Sequence, residues 1–360
     1  MRIAFVAPQI APLREPHLGG VGTLLTDIAA GVQAAGHEVT VFAPSGSEVD
    51  GLTIADTGVD SEALAGTMFR PLEPGGGRHP AAERASAEAF RSVYEQVGAG
   101  GFDIVHNHSF DAPAITLAGR AGLPVVHTLH LPPADSVSRA IAAAQAGPRP
   151  PVVASVSESH RRFWQRRNRI DLLLRAGIPT ERIPWSEQSS DGLVFAGRIS
   201  PEKGVLDAIA IAAASGKKLT IAGHRYDEQY ARQVDHAVGR ANAVSYAGSL
   251  NRRQLWELFA RSSVLLFPIR WEEPFGMVTA EAQAAGCPVV GYRRGALSDV
   301  IDEGVTGIIV EPGDVESAAA AVGRALRLDR KCCRLHAQKN LDLEPSIEDH
   351  LRLYERLLPQ

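Results

Sequence analysis

The sequence has few cysteines, and they are poorly placed for disulfide bonds. Three of the 360 residues are cysteine: Cys287 stands in an apolar stretch, and Cys332 and Cys333 are adjacent. Small secreted proteins that depend on disulfides carry several spaced cysteine pairs, and this chain has no such framework. The cysteine content therefore favours a reducing compartment, and we expect a cytoplasmic protein.

The chain also lacks an excess of positive charge and a long apolar run. Its formal net charge is −4, whereas a dedicated nucleic-acid binder needs a basic face that neutralises phosphates. The first apolar run, within Met1–Pro8, is too short for a signal peptide or a membrane span and predicts a buried strand. We therefore expect no nucleic-acid partner and no membrane-spanning segment.

Several cofactor signatures are missing as well. The glycines of Gly19–Gly22 lie too far after the first strand for the dinucleotide fingerprint, and Leu25 stands where its third glycine should be. Gly216–Lys218 lacks the Ser/Thr and the upstream glycine of a P-loop. No lysine stands in a context typical of a pyridoxal-phosphate Schiff base. These absences argue against three large classes of cofactor-binding and nucleotide-hydrolysing enzymes.

What the sequence does contain is a regular alternation of short apolar runs and amphipathic stretches. This pattern is typical of β-α-β units that build a parallel sheet, and it starts again in the second half of the chain. The length also fits two domains better than one. We predict two doubly wound α/β domains, residues 1–185 and 186–344, joined by a polar linker at Arg182–Asp191, and a C-terminal helix within 345–360.

The predicted elements follow from the apolar periodicity. The strands are Ile3–Ala7, Glu38–Phe42, Ile104–His106, Val125–Leu129 and Val152–Ser155, then Gly192–Ala196, Lys218–Ala222, Val264–Pro268, Pro288–Gly291 and Gly307–Val310. The helices are Gly20–Ala35, Ala81–Val97, Val205–Ala214, Arg252–Arg261, Met277–Ala285 and Pro345–Leu358, with a loop at Glu73–Pro80. In the last helix, Ile347, Leu351, Tyr354 and Leu358 lie at helical spacing, so we expect this helix to dock on another surface.

The strongest functional signal is the segment Glu273–Glu281, where a Phe-Gly turn opens a helix between two glutamates. The N–H groups of a helix N-terminus favour phosphate or sugar oxygens. A helical path would separate the glutamates by about 12 Å, whereas the carboxylates of a glycoside hydrolase lie roughly 5–9.5 Å apart. The two glutamates are therefore expected to hold different hydroxyl groups of one extended ligand. On spacing alone, a helix-start glutamate and an unrelated surface glutamate are the alternative.

A second signal is the segment Phe195–Gly204, in which a strand ends at Gly197 and two cations, Arg198 and Lys203, follow. Such cations suit a diphosphate, which arginine grips through two hydrogen bonds and lysine meets as a point charge. Solvated side chains are the alternative for each residue taken alone. Glycines before a helix, as at Gly19-Gly20, also let a phosphate or sugar approach the backbone, but a plain helix lead-in explains them nearly as well.

Histidines cluster at the ends of two predicted strands. His106 and His108 alternate along one strand and so share a face, and His127 and His130 lie on the next. No cysteine or carboxylate completes an obvious metal site with them. We favour contacts with a polyol over metal binding.

Five arginines lie within Arg161–Arg169, beside Phe163 and Trp164. A solvated helix face is the favoured interpretation of this cluster. Weak peripheral contact with a membrane surface, or with an anionic acceptor, is the alternative.

Taken together, these segments resemble the retaining glycosyltransferases of GT-B fold called family 4, or glycosyl transferases group 1. The resemblance covers most of the chain. Its most specific parts are the Gly197–Gly204 loop and the Glu273–Glu281 segment, whereas Gly19-Gly20 and the stretch Asp103–His108 are weak on their own. The chain departs from the family pattern at Ile183–Glu187, where Pro-Asn-Gly-Val-Asp is common, and this departure does not touch the donor motifs.

The resemblance implies two Rossmann-like domains and a UDP-, GDP- or ADP-sugar donor bound mostly by the C-terminal domain. It also implies a retaining enzyme of hexosyltransferase type, and a last helix that crosses back to the first domain. The implied catalytic residues are Arg198, Lys203, Glu273 and His130. The implied donor-binding residues are Gly19, Gly20, Arg198, Lys203, Leu250, Glu273, Phe275, Gly276, Met277, Val278 and Glu281, and those implied on the acceptor side are His108 and His130.

In the scheme that the resemblance implies, Arg198 and Lys203 hold the diphosphate, Glu281 the ribose hydroxyls, and Glu273 the donor sugar. Leu250 lies near the nucleobase. Negative charge develops on the departing diphosphate, so preorganised cations and helix-end amides would supply most of the catalysis. No carboxylate is clearly placed as a covalent nucleophile, which favours a front-face route. No metal or other cofactor is required, because the two cations supply the positive charge.

Other functions fit the same motifs, because fold does not settle function. One is a sugar-nucleotide epimerase or hydrolase of GT-B architecture, and another is a binder of sugar nucleotides without catalysis. The loops Asp50–Pro80 and Pro132–Arg149 carry no readable acceptor pattern. The sequence therefore leaves open the base, the sugar, and whether the acceptor is a small molecule, a glycan or a lipid.

Overall fold

A computed structural model of the chain describes residues 1–68, 80–190, 192–241 and 243–358. The contacts divide the chain into two compact units. The first unit contains Met1–His17, Val21–Arg175 and Glu344–Gln360, and the second contains Leu18–Gly20 and Ala176–Leu343.

The first unit is built on a seven-stranded parallel sheet whose strands follow the order β3-β2-β1-β4-β5-β6-β7. Residues such as Ile3 and Val126 have no exposed surface, as expected for a parallel sheet covered on both faces. The strands are β1 (Arg2–Val6), β2 (Glu38–Ala43), β3 (Thr53–Asp56), β4 (Ile104–Asn107), β5 (Val125–Leu129), β6 (Val152–Ser155) and β7 (Leu172–Leu173).

Helices connect these strands, and one core cluster shows how they pack. Phe90 and Tyr94 from the third helix are fully buried against Val6 and Val105 of the central strands. The helices are α1 (Gly20–Ala34), α2 (Ser61–Met68), α3 (Pro80–Ala99), α4 (Ala112–Thr116), α5 (Asp135–Gln145) and α6 (Glu158–Gln165).

The second unit has the same alternation of strands and helices, built on a six-stranded parallel sheet in the order β10-β9-β8-β11-β12-β13. Phe195, Leu266 and Val290 lie in its buried core. The strands are β8 (Leu193–Ala196), β9 (Leu219–Ala222), β10 (Val244–Gly248), β11 (Val264–Phe267), β12 (Val289–Tyr292) and β13 (Gly307–Val310). The helices are α7 (Val205–Ser215), α8 (Glu228–Arg240), α9 (Arg252–Arg261), α10 (Met277–Ala284), α11 (Leu297–Val300), α12 (Val315–Ala325) and α13 (Arg330–Asn340).

The final helix, α14 (Leu343–Leu357), packs on elements of the first unit. Ile347 lies directly on Gly31 of α1, where an added Cβ would come within 2.0 Å of the Ile347 Cδ1 atom. Tyr354 is fully buried, and its hydroxyl lies 2.6 Å from Nδ1 of His106. The apolar spacing of this helix therefore corresponds to a docked face.

Apart from the short segment Leu18–Gly20, the chain passes between the units at Arg175–Ala176 and at Leu343–Glu344, whereas the sequence suggested boundaries at 185/186 and 344/345. The segment after Ala176 groups with the second unit because the amide of Ile178 donates to the Leu341 carbonyl (2.9 Å) and the amide of Leu343 donates to the Ile178 carbonyl (3.0 Å). Residues 182–190 of the expected linker therefore lie inside the second unit, and Asp191 is outside the described residues.

The ten strands and six helices predicted from the sequence are all present, with small shifts at their ends. Three strands were not predicted, namely β3, β7 and β10. Each of them lies at an edge of its sheet, where no continuous apolar run is needed. The predicted loop at Glu73–Pro80 falls outside the described residues up to position 79, and α3 begins at Pro80. Across the described part of the chain, no helix combines the length and apolar character needed to cross a bilayer.

Candidate functional site

The loop that follows β8 carries the predicted cations. A guanidinium nitrogen of Arg198 lies 3.1 Å from Oε1 of Glu202, and the guanidinium stands over the ring of Tyr226 at 4.6 Å. Gly204 ends the loop with φ +71°, and a Cβ there would come within 1.9 Å of the Pro268 carbonyl oxygen. Only glycine fits this position, so the close approach of the loop to the chain after β11 depends on Gly204.

That approach brings the two strongest sequence signals together. Lys203 Nζ donates to Oε2 of Glu273 at 2.5 Å, and the indole Nε1–H of Trp271 donates to the same oxygen at 2.6 Å. The lysine ammonium also lies 4.9 Å from the centre of the Trp271 ring. Both members of the ion pair are mostly buried, with side-chain exposures of 14 % and 15 %. Because β8 and β11 are neighbours in a parallel sheet, their carboxyl ends present these residues at one edge.

The backbone of Glu273 is held by the turn after β12. The amide of Ala296 donates to the Glu273 carbonyl at 2.8 Å, and the amide of Gly295 donates to the carboxylate of Glu272 at 2.8 Å. A Cβ on Gly295 would lie 2.2 Å from the Glu273 carbonyl oxygen. The position of Glu273 therefore depends on close backbone packing as well as on its side-chain partners.

Helix α10 follows this segment and begins after Gly276, which has φ +90°. The hydroxyl and the amide of Thr279 both donate hydrogen bonds to the Gly276 carbonyl. The first N–H groups of a helix have no partner within the helix and carry the positive end of its dipole. At the other end, Arg334 donates to the Ala284 carbonyl at 2.9 Å, which places a cation at the negative end.

Glu281 lies inside α10 and has a different partner from Glu273. Its Oε1 accepts from Nε of Arg252 at 3.1 Å, and the Arg252 guanidinium stands 4.7 Å from the centre of the Trp256 ring. The carboxylate side chain is only 5 % exposed. The two glutamates of the motif therefore occupy separate charge pairs, as expected if they contact separate parts of a ligand.

In the first unit, the ends of neighbouring strands bring His108 and His130 together. Nδ1 of His108 lies 2.9 Å from Nε2 of His130, and the two rings stack with centres 5.1 Å apart. His106 lies beside them, with its ring centre 4.1 Å from that of His108. Its Nε2 atom lies 2.7 Å from the hydroxyl of Thr128.

These histidines are buried and therefore neutral at ordinary pH. Burial lowers the pKa values of His106 and His108 well below the usual range, with smaller contributions from neighbouring histidines. Burial also lowers the pKa of His127 and that of His130 to about 3. Among the described residues, no group of three or more His, Cys, Asp or Glu side chains is arranged to hold a metal ion.

The arginines of Arg161–Arg169 are largely paired. Glu158 accepts from Arg161 at 2.8 Å and lies 3.6 Å from Arg162. Asp135 pairs with Arg167, and Asp171 pairs with Arg169 at 2.8 Å. This pairing supports the interpretation of a solvated face.

The other predicted positions lie at the ends of elements. Gly19 and Gly20 stand at the start of α1, and Leu250 is half-buried between β10 and α9. A cavity of about 400 Å³ lies elsewhere in the second unit, lined by residues around Pro184, Glu257 and Arg261 and by neither glutamate of the motif. The residues around Glu273 and Glu281 are the stronger candidate site, because both carboxylates are mostly buried in charge pairs before or within α10, whose first N–H groups can bind an anion. Sequence reasoning missed Tyr226, Arg252, Trp256 and Trp271. Tyr226 and Arg252 contact Arg198 and Glu281, which are distant along the chain.

Comparison with known proteins agrees with this architecture. Residues 18–182 match the family described as Glycosyltransferase Family 4, and residues 181–340 match Glycosyl transferases group 1. A glycogen synthase of Mycobacterium tuberculosis is 27 % identical over 91 % of this chain and 86 % of its own length. A D-inositol 3-phosphate glycosyltransferase of Acidothermus cellulolyticus is 27 % identical over 90 % and 82 %.

Solved structures show the same fold. The sucrose-phosphate synthase of Thermosynechococcus elongatus superposes with a TM-score of 0.77 at 18 % identity, covering 99 % of this chain and 98 % of that one. The Anabaena protein HepE in complex with UDP and glucose gives 0.71 at 18 % identity, covering 99 % and 100 %. With both halves matched by family, the chain belongs to the family 4-like glycosyltransferases of GT-B fold.

Proposed function

We propose that this glycosyltransferase moves a sugar from a UDP-, GDP- or ADP-sugar to an acceptor hydroxyl, with retention of configuration. The observation that carries the proposal is the meeting of Lys203 with Glu273 directly before the N-terminus of α10. Cations, a carboxylate and free helix N–H groups at one sheet edge are the chemistry that a sugar diphosphate requires.

The two glutamates divide the donor between them. Oε2 of Glu273 is occupied by Lys203 and Trp271, which leaves Oε1 to accept from a sugar hydroxyl. Glu281, held by Arg252, accepts from the ribose hydroxyls. The amides of 275–278 and the cations Arg198 and Lys203 hold the diphosphate.

In the reaction, the bond between the anomeric carbon and the diphosphate oxygen breaks, and negative charge grows on that oxygen. Arg198 and Lys203 stabilise this charge because they are positioned before it develops. The acceptor oxygen bonds to the anomeric carbon on the same face, and its proton passes to the departing phosphate. His130 contacts the sugar and His108 lies behind it.

The base of the donor stays open within the proposal. The HepE structure is a complex with UDP and glucose, whereas a structurally similar starch synthase from Arabidopsis thaliana is bound to ADP and acarbose. Isothermal titration calorimetry with UDP, GDP and ADP should identify one base by tighter binding. A bound nucleotide also stabilises the folded protein by mass action, so the same nucleotide should raise the thermal unfolding midpoint most.

The decisive experiment is transfer from the matching nucleotide sugar, with NMR identification of the anomer formed. A product of the donor's own anomeric configuration supports the proposal. An inverted product would refute retention. Release of free sugar at the same rate with and without acceptors, or conversion to an epimer, would refute transfer itself.

A further inference from the structure

The hydrogen bond between His108 and His130 has a direction that the surroundings determine. Nδ1 of His108 and Nε2 of His130 are 2.9 Å apart, so one proton lies between them. Burial lowers the pKa of both rings, so neither carries a second proton at ordinary pH. Each neutral ring holds one proton, on one nitrogen or the other. Two arrangements are therefore available.

In the first arrangement, His108 donates from Nδ1 and its Nε2 is a bare lone pair. In the second, His130 donates from Nε2, and His108 must carry its proton on Nε2. That Nε2 atom is buried and has no hydrogen-bond partner within the described residues. A buried N–H without an acceptor is the rarer and costlier outcome, whereas an acceptor lacking a partner is better tolerated.

The environment of His108 supports the first arrangement. Its ring stacks on Phe5, with centres 5.6 Å apart, and lies against His106. His106 is itself fixed by Thr128 and Tyr354, so its nitrogens are not available to Nε2 of His108. A phenyl ring and an imidazole whose nitrogens are occupied therefore pack against the His108 ring. Neither offers an acceptor in the plane of the His108 ring.

We propose that His108 is a positioning residue that donates to Nε2 of His130 and thereby fixes the proton of His130 on Nδ1. Nδ1 of His130 has no hydrogen-bond partner among the described residues, and the residue keeps 6 % of its surface exposed. His130 then offers its ligand a neutral N–H donor and is no general base. The backbone beside it is fixed as well, because Nε1–H of Trp164 donates to the Leu131 carbonyl at 2.9 Å.

The consequence for catalysis rests on the proposed function, in which His130 contacts the sugar. A neutral donor bonds a sugar hydroxyl without adding charge and does not compete with the departing phosphate for the acceptor proton. His108 thus determines that His130 donates to the sugar hydroxyl, although His108 does not itself contact the sugar.

The direct test uses the unmodified protein and needs no activity. Long-range ¹H–¹⁵N spectra of histidine-labelled protein distinguish the two tautomers, because a protonated nitrogen has a pyrrole-type shift and a bare one a pyridine-type shift. We expect pyrrole-type Nδ1 and pyridine-type Nε2 for His130, with signals assigned by their loss in His130→Asn. Pyridine-type Nδ1 and pyrrole-type Nε2 would overturn the proposal.

A matched pair of variants tests the consequence. An ionised carboxylate in His108→Asp only accepts, so it draws a proton onto Nε2 of His130 and either leaves Nδ1 bare or makes the ring cationic. The amide of His108→Asn still offers a donor near the Nδ1 position. We expect kcat to fall about 10- to 100-fold in His108→Asp and to stay within about threefold of the original in His108→Asn. Folding is checked by circular dichroism.

The outcomes separate this inference from the proposed function. Equal kcat values for two folded variants would reduce His108 to a packing residue and overturn its positioning role. Nucleoside diphosphate affinity, which depends on the second unit, should be the same in both. If the unmodified protein transfers no sugar from any donor, the proposed function fails, while the tautomer of His130 is still decided by the spectra.

Discussion

At the scale of single residues, each cation of the candidate site stands on an aromatic face and pairs with a glutamate. Arg198 lies over Tyr226, Lys203 over Trp271 and Arg252 over Trp256. Such contacts are worth about 0.5–2 kcal/mol, depending on desolvation. They limit the freedom of long side chains before a ligand arrives, which is what preorganised charge stabilisation needs.

Arg198 and Lys203, the proposed diphosphate cations, should affect the chemical step more than binding of the donor. We expect Arg198→Ala and Lys203→Ala to lower kcat by roughly 10²–10³, the effect of losing one preorganised donor. Arg198→Lys should also be slow, because the lysine ammonium is a point charge and cannot form the two parallel hydrogen bonds of a planar guanidinium. Steady-state transfer at saturating donor measures this, with Arg232→Ala, an exposed arginine of α8, as the control. A rise in KM with unchanged kcat would show that the pair only anchors the donor.

Glu281 should act on binding of the nucleotide. Removing its carboxylate in Glu281→Ala should weaken nucleoside diphosphate binding by about 1.5–3 kcal/mol, the range for hydrogen bonds to charged groups. Calorimetry measures the loss. Glu257→Ala is the matched control, since Glu257 is a more exposed glutamate on α9 that pairs with Arg253. Equal affinities of the two variants would remove Glu281 from the ribose site.

The sequence indicates the candidate site residues better than it shows which contacts hold them in place. Glu273 and Lys203 belong to separate motifs, and each motif is readable because a strand, a glycine and a helix start follow one another. The hydrogen bond between these two residues could not be predicted from the sequence, because seventy positions separate them. The same is true of Arg252, whose bond to Glu281 forms only after α9 and α10 are placed.

At the scale of elements, buried strands were predictable and edge strands were not. β11 and the residues Ile3–Val6 of β1 are continuous apolar runs, because helices cover both faces of a parallel sheet. β10 has an exposed tyrosine, Tyr246, and β7 is only two residues long. α13 was missed for a related reason: its buried face includes Arg330 and Arg334, which bond backbone carbonyls instead of forming an apolar stripe.

The docking of α14 on α1 depends on the absence of a side chain at Gly31. Gly31→Ala should lower the free energy of unfolding by about 1–3 kcal/mol, because the new Cβ overlaps Ile347. Gly239→Ala in α8 and Gly323→Ala in α12 are matched controls with nothing within 4 Å. They should be neutral or stabilising by up to about 1 kcal/mol. Urea denaturation measures all three.

The contact itself is tested by a double-mutant cycle. In an Ile347→Ala background the overlap is gone, so Gly31→Ala should become neutral or stabilising there. An equal loss of stability in both backgrounds would mean that Ile347 is not the cause.

At the scale of the whole molecule, the buried histidines make stability depend on pH. Their folded pKa values lie below the unfolded value of about 6.5, chiefly through burial, and that of His350 is lowered to about 4. At pH values between the folded and the unfolded pKa, the unfolded chain binds more protons than the folded chain. The free energy of unfolding therefore falls as pH falls from about 6.5 towards 4. Each such histidine contributes at most about 1.4 kcal/mol per pH unit.

Urea unfolding at pH 7.5, 6.5, 5.5 and 5.0 should show this loss. His127→Asn, which keeps an acceptor for Asn107, should reduce the slope, whereas His236→Gln in the second unit should leave it unchanged. A slope that does not respond to His127→Asn would assign the acid sensitivity to other groups.

The return of α14 to the first unit has a consequence for biosynthesis. The whole of Ala176–Leu343 is translated between the strands of the first unit and the helix that carries Tyr354, so the first unit lacks its last helix until the second has been synthesised. At ordinary elongation rates, translation of Ala176–Leu343 takes on the order of ten to thirty seconds. During that time His106 lacks its tyrosine partner and Gly31 lies uncovered. The part of the protein that is made first is therefore the part that is finished last.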